Sequence, residues 1–354
     1  MDEEIRARRA ACTDTFLGNG LVPPRELLAS IDPETEPDTY GDGGVVTELE
    51  RHLAALLDKP AAVFLPSGTM AQAATLRVHA DRRQSRTVVW HPYCHLEQHE
   101  GQAHQRLHQL VGRRVGDSER LIGLHDLEEV AEPIAALLLE LPQRDLGGAL
   151  PAWEDLVAQT RWARDRGAAV HLDGARLWEA SAGYERSPAA IAGLFDTVYV
   201  SFYKGIGALP GCCVAGSDGD VAAVREWRSR LGGTLFALWP GAASALRLLD
   251  EGLAEMPARM RHARAIWDAL GGVPEVRVVP DPPQTPMMHL LFAASPETFR
   301  ENARRLAEET GLWVWPSGFA TGDPAVVRTE LSVGRATLRH KPEAIAEILA
   351  GLCM

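Results

Sequence analysis

Val170-His171-Leu172-Asp173-Gly174-Ala175-Arg176 and Val200-Ser201-Phe202-Tyr203-Lys204-Gly205-Ile206-Gly207 are the two ends of the stretch on which the fold of this chain turns. Each begins with a short β-branched or apolar run that reads as a buried strand. Each then delivers a charged residue just before a glycine that permits a sharp turn. A carboxylate and an amine are thereby aimed at one edge of a sheet, the edge where open α/β sheets bind ligands. Two readings follow. The charges are strand ends that face water, or they are the working pair of pyridoxal phosphate chemistry. In the second, the amine forms a Schiff base with the aldehyde and the carboxylate keeps the pyridine nitrogen protonated.

Outward from this stretch the pattern repeats. Upstream, Ala136-Leu137-Leu138-Leu139-Glu140-Leu141 is a continuous apolar run suited to a fully buried parallel strand, and a helix from Pro151 to Arg166 stops at Gly167. Further upstream, Leu49, Leu53, Leu56 and Leu57 fall at helical spacing. Ala62-Val63-Phe64-Leu65 then reads as a strand, and Pro66-Ser67-Gly68-Thr69 opens a helix reaching about Arg82. Thr87-Val88-Val89-Trp90 reads as a further strand. Strand, helix, strand in alternation implies a largely parallel sheet covered by helices on both faces, a three-layer α/β domain. The N-terminus of the Gly68 helix, with the Ser67 and Thr69 hydroxyls, suits an anion such as phosphate, although Ser-Gly-Thr there also serves as a plain cap.

The flanks read differently. Residues 1–40 carry Pro23-Pro24, Pro33 and Pro37 with few apolar repeats, an arm with one short helix of the kind that packs on a neighbouring subunit. Residues 41–250 form the large domain. A long apolar-periodic segment from about Ala242 to Leu270 links it to residues 251–354. There strands at 276–279, 287–292 and 312–315 and helices at 295–309 and 342–352 make a smaller α+β domain, with Ser295 and Gly311 bounding the first helix.

At 354 residues, 46% hydrophobic and 24% charged, the chain is an ordinary globular sequence large enough for two domains. A net charge of −12 without a long basic block argues against nucleic acid as a partner. No run approaches a membrane span, and the acidic start Met1-Asp2-Glu3-Glu4 is unlike a signal peptide, so a cytoplasmic location is expected. The five cysteines include no C-x-x-C pair, and no zinc site or disulfide framework is read. His91, His95 and His99 recur every four residues, a spacing that would also suit a metal if they shared one helix face. No metal is expected, because ring stacking accounts for His95 and no carboxylate or cysteine stands in a matching position.

Taken in order, these pieces give the chain a resemblance to the threonine aldolase group of the β-eliminating lyase superfamily. Its marks are Tyr40-Gly41-Asp42 ahead of Thr47-Glu48-Leu49-Glu50, then Pro66-Ser67-Gly68-Thr69-Met70-Ala71, then His95 with Glu100-Gly101. They continue through His171-Leu172-Asp173-Gly174-Ala175-Arg176-Leu177, Lys204-Gly205-Ile206-Gly207 and Gly232-Gly233. The resemblance implies pyridoxal 5'-phosphate as cofactor and the aspartate aminotransferase fold, with Cα–Cβ cleavage of a β-hydroxy-α-amino acid to glycine and an aldehyde. β-Elimination or racemisation of another amino acid is the alternative within the same fold. It also implies that Lys204 holds the cofactor's aldehyde carbon, Asp173 pairs with the pyridine nitrogen and His95 stacks on the ring. Ser67, Gly68 and Thr69 would hold the phosphate. Arg176 would reach the cofactor or the substrate, and Thr13 and Arg328 would bind the substrate carboxylate. A homodimer or homotetramer with the active site at the subunit interface is implied as well.

The departures from the family pattern fall around the reacting group. Phe236 and Ala237 stand where an arginine and a glutamine are usual, leaving Arg228 or Arg230 as candidates to neutralise the phosphate. Gln143, in Glu140-Leu141-Pro142-Gln143-Arg144, stands where a histidine near the β-hydroxyl is usual, and Tyr203 replaces the serine before the lysine. The general base is therefore open among His95, His99 and a bound water, while His171, inside a strand, reads as a core histidine.

Overall fold

The computed structural model describes residues 3–29 and 31–354, which form two compact units. The larger comprises residues 24–145 and 150–254; the smaller comprises residues up to 23, the short segment 146–149 and residues 255–354. Relative to the sequence reading, the N-terminal 40 residues are shared between the two units and the second boundary falls at 255.

The larger unit is built on a seven-stranded sheet: β1 (Ala61–Leu65), β2 (Thr87–Trp90), β3 (Val111–Arg114), β4 (Ala136–Glu140), β5 (Ala169–Gly174), β6 (Thr197–Ser201) and β7 (Cys212–Gly216). The strand order is β1-β7-β6-β5-β4-β2-β3. All neighbours run parallel except at β7, which is antiparallel to both β1 and β6, so a single strand opposes the other six. Every residue of β5, β6 and β7 is buried, as expected of strands covered on both faces. Edge strand β3 is mostly exposed and carries Arg113 and Arg114, charges that discourage further strand pairing; a polar four-residue run of this kind gives no strand signal in the sequence.

Helices Gly44–Leu56, Gly68–Arg83 and Trp153–Asp165 lie close to where the sequence pattern puts them, and a further helix runs Asp218–Arg230. The first buries Val45, Val46, Leu49 and Leu53 on one face. The linking helix is one continuous run, Trp239–Leu270, three residues longer than periodicity suggested. Asp38 explains the extension. Its Oδ1 accepts from the backbone N–H groups of Leu238 (2.8 Å) and Trp239 (2.7 Å), donors that a helix start leaves unpaired. Its Oδ2 accepts from Gly41 N at 2.6 Å, which ties the Tyr40-Gly41-Asp42 turn to the same carboxylate.

The smaller unit holds a four-stranded antiparallel sheet, ordered Phe319–Ala320, Val327–Ser332, Met287–Phe292, Val276–Val279. Helices Pro296–Thr310 and Pro342–Gly351 accompany it. Ser295 Oγ caps the first by accepting from Thr298 N (3.1 Å), and Gly311 ends it at φ 69°. The strand expected at 312–315 is shorter. Leu312–Trp313 pairs in parallel with Asp14–Thr15, outside the four-stranded sheet. Phe16 beside that pair is buried among Phe292, Phe299, Leu331, Ile345 and Leu349, so the N-terminal stretch belongs to this core.

Candidate active site

The parallel strands of the larger unit all end at one edge, and Ser67, Gly68, Thr69, His95, Asp173 and Lys204 come together there. Leu65 ends β1, and the chain passes through Pro66 and Ser67 into the Gly68 helix. Ser67 Oγ accepts from Met70 N at 3.4 Å, while the N–H groups of the helix's opening residues have no intrahelical acceptor. After β2, Cys94 leads into a single helical turn, His95–Gln98. β5 carries Asp173, 2% exposed, whose Oδ1 accepts from Ala175 N at 3.1 Å. Strand β6 ends at Ser201, so Lys204 stands three residues beyond the strand rather than at its tip. The turn that holds it closes where Ala208 N donates to Phe202 O (2.9 Å).

Ser67, Gly68, Thr69, His95, Asp173 and Lys204 line one cavity of about 270 Å³. Gln72, Glu100, Tyr199 and Tyr203 complete the polar lining. Of these four, Gln72 and Tyr199 escaped the sequence reading. Gln72 sits one helical turn beyond Gly68, a spacing that places it on the same face. Tyr199 lies on β6, and only glycine fits opposite it at 68, because a Cβ there would collide with its hydroxyl.

Two imidazole–carboxylate pairs stand side by side here, and the first of them lines the cavity. His95 Nδ1 donates to Glu100 Oε1 at 3.0 Å. That hydrogen bond raises the His95 pKa above the ordinary imidazole value against the opposing effect of burial, with Asp173 acting in the same direction. The second Glu100 oxygen, Oε2, is buried without a partner. His99, one turn on, donates from Nε2 to Asp145 Oδ2 at 3.2 Å, and its ring centroid lies 5.1 Å from that of His95.

The three histidines do not share a helix face. His91 lies outside the helical turn and is buried, its Nε2 donating to Asp117 O (3.0 Å) and Arg120 O (2.9 Å) and its Nδ1 accepting from Tyr93 N (3.0 Å). Behind the cavity, His171 Nε2 meets Gln72 Oε1 at 2.8 Å, and His171 Nδ1 and His79 Nε2 each lie 2.8 Å from Thr197 Oγ1. Burial holds both imidazoles neutral, pushing their pKa values down to about 3. The proton positions then follow in turn. Gln72 Oε1 only accepts, so His171 carries its proton on Nε2; Thr197 donates to His171 Nδ1 and accepts from His79 Nε2. The Gln72 amide N–H₂ remains as the polar end of a side chain that lines the cavity.

Glu140 ends β4 in register with Asp173. Burial first, and the Asp173 charge second, push its carboxyl pKa up to about 8. Its oxygens accept from Arg144 N (3.1 Å) and Gln143 Nε2 (3.1 Å), and Gln143 Nε2 also donates to Tyr93 O (3.2 Å). Gln143 is therefore committed to internal bonds. Arg176 is nearly buried, with Nη1 3.6 Å from Glu179 Oε1. The Glu179 carboxylate lies against Gly205, where a Cβ would collide with it.

Neither arginine suggested for the phosphate lines the cavity. Arg228 is buried and donates to Phe64 O (2.8 Å), and Arg230 pairs with Glu226 (2.8 Å) on the surface. Thr13 and Arg328 belong to the smaller unit. Thr13 is exposed and donates its N–H to Gly311 O (3.0 Å). Arg328 lies on the strand Val327–Ser332, its guanidinium 5.9 Å from the Phe319 ring.

Residues 29–294 match the family model described as β-eliminating lyase. A solved structure from Listeria monocytogenes, a candidate L-allo-threonine aldolase, is 34% identical with a TM-score of 0.92, covering 99% of this chain and 98% of that one. One from an Exiguobacterium species, a candidate aromatic amino acid β-eliminating lyase/threonine aldolase, is 35% identical with the same TM-score and 99% coverage of both chains. The low specificity L-threonine aldolase of Escherichia coli strain K12 is 28% identical over 70% of this chain and 75% of its own length.

Proposed function

From the premise that this chain belongs to the β-eliminating lyase family, we infer that it is a pyridoxal 5'-phosphate-dependent aldolase. It cleaves a β-hydroxy-α-amino acid such as L-threonine to glycine and an aldehyde. The observation that carries this reading is one cavity lined by Lys204, Asp173, His95 and the start of the Gly68 helix.

The donor set fits the cofactor. The helix start offers backbone N–H groups and the Ser67 and Thr69 hydroxyls to a phosphate. Asp173, buried, matches a protonated ring nitrogen, and Lys204 supplies the amine that holds the aldehyde carbon. When bound, the group supplies an electron sink in conjugation with the substrate's Cα. The chain's residues do the rest. Asp173 keeps the sink charged, because a nearby carboxylate favours the protonated nitrogen. His95, held by Glu100, would stack on the cofactor's ring when it is bound. Arg176, anchored by Glu179, would reach the cofactor or the substrate carboxylate, its planar guanidinium suiting bidentate capture.

The active protein is a homodimer or homotetramer in the cytoplasm, with its site at the subunit interface. Among the described residues no helix is long and apolar enough to cross a membrane. The test is an absorbance spectrum of the purified protein and of Lys204→Ala, followed by addition of threonine, phenylserine and alanine. Expected are a near-visible band lost in the variant, and glycine plus aldehyde from the hydroxy amino acids. A bound cofactor with keto-acid release and no aldehyde would replace the aldolase reading with elimination.

A further inference from the structure

Cleavage of a β-hydroxy amino acid needs a base for the hydroxyl proton, and this cavity's edge is short of them. Gln143 has no basic atom, and its amide is spent on Glu140 and Tyr93. Glu140 is held protonated near neutral pH. His95 has Nδ1 bound to Glu100 and a raised proton affinity. His171 and His79 lie buried behind Gln72.

His99 is paired with a carboxylate as His95 is, but its side chain stands more open to solvent. It caps the His95–Gln98 turn, its side chain is 42% exposed, and its ring packs at 51° beside that of His95, which lines the cavity. Nε2 donates to Asp145, and Asp145 is in turn within 3.4 Å of Arg144 Nη1. A carboxylate on one ring nitrogen fixes the tautomer that leaves the other as an acceptor, the arrangement by which an orienting acid sets up an imidazole base. We propose that His99, oriented by Asp145, is the general base that removes the substrate's β-hydroxyl proton, in the role that Gln143 cannot fill. The inference rests on the aldolase reading above. In the step, the hydroxyl proton passes to His99 Nδ1 and the O–H electron pair becomes the second bond of the aldehyde C=O. The Cα–Cβ pair stays on Cα, which takes a proton to give glycine, and no external oxidant or reductant is required.

The experiment compares wild type, His99→Ala and Asp145→Asn, each loaded with cofactor. It follows aldehyde release from phenylserine, α-proton exchange of glycine in D₂O and the near-visible band. Glycine has no β-hydroxyl, so exchange needs Lys204 and Asp173 but not this base. In His99→Ala, kcat for aldehyde release should fall about 100-fold or more, with exchange within about 3-fold of wild type, the band unchanged, and partial recovery on adding imidazole. Asp145→Asn, which keeps the imidazole, should lose about 10-fold in kcat with KM little changed. Aldehyde release within about 3-fold of wild type in both variants would overturn the assignment. So would a parallel loss of glycine exchange, which would mark a structural role. A wild type that exchanges glycine yet releases no aldehyde would instead overturn the aldolase reading, and this assignment with it.

Discussion

Glu140 and Asp173 stand side by side at the ends of neighbouring strands, and two buried carboxyls in register do not both ionise cheaply. The cost falls on Glu140, held near pKa 8 by burial and by the Asp173 charge. Its unfolded value is about 4.3. Between those values the folded state keeps a proton that the unfolded chain has released, so this contribution to stability is complete below about pH 4.3 and is lost as pH rises through 8. His95, its pKa raised by Glu100, acts in the same direction, so the two are separated by mutation. Glu140→Gln should flatten the fall in urea midpoint of the cofactor-free protein between pH 5 and pH 8.5, and equal slopes in variant and wild type would refute the account. The same residues mark the limit of reading by residue type. Asp173, Lys204 and His95 could be named from the sequence because each precedes or opens a turn that glycine or a helix start makes visible. Glu140 was visible only as a strand end, since its proton depends on a neighbour 33 residues away.

The Gly68 helix shows how an element positions chemistry. Strand β1 aims it, Ser67 caps it, and its first turn faces the cavity. Glycine at 68 is required by Tyr199, which packs where a side chain would begin. Gly68→Ala should weaken cofactor binding by about 10-fold or more, measured by equilibrium titration of the cofactor-free protein, a loss on the scale of overpacking. Adding Tyr199→Phe, which deletes the colliding hydroxyl, should restore part of it. Failure of the double variant to improve on the single one would show that the Tyr199 hydroxyl is not what excludes a side chain. One turn along the helix, Gln72 is held by His171, which Thr197 in turn links to His79. Sequence periodicity identified the helix and its span; that its fifth residue reaches a histidine on β5 follows from strand order, which periodicity does not encode.

At the scale of the whole molecule, the larger unit displays large apolar side chains that it does not cover itself. Phe236 is 68% exposed and Tyr40 57%, their rings 5.4 Å apart, with Leu235 beside them. Such a cluster is costly in water and suits burial against a second copy. Sedimentation should give at least twice the 38.5 kDa chain mass, and Phe236→Asp should lower it. A wild-type monomer would end the proposal of an interfacial site.

The amino-acid sequence by itself determined the class of fold, the strand that carries Asp173, the turn that carries Lys204 and the chemistry those two support. It could do so because hydrophobic period, caps and glycine turns are local, and because the motifs stand in order along one chain. Tertiary structure alone decided the strand order, the reversal of β7, the neutral Glu140 and the pairing of His99 with Asp145. It also decided that Arg228 is buried against a strand carbonyl. Each of these depends on groups far apart in sequence meeting in a low-dielectric interior, where a neighbour's charge and lost water, more than residue type, set what a side chain can do.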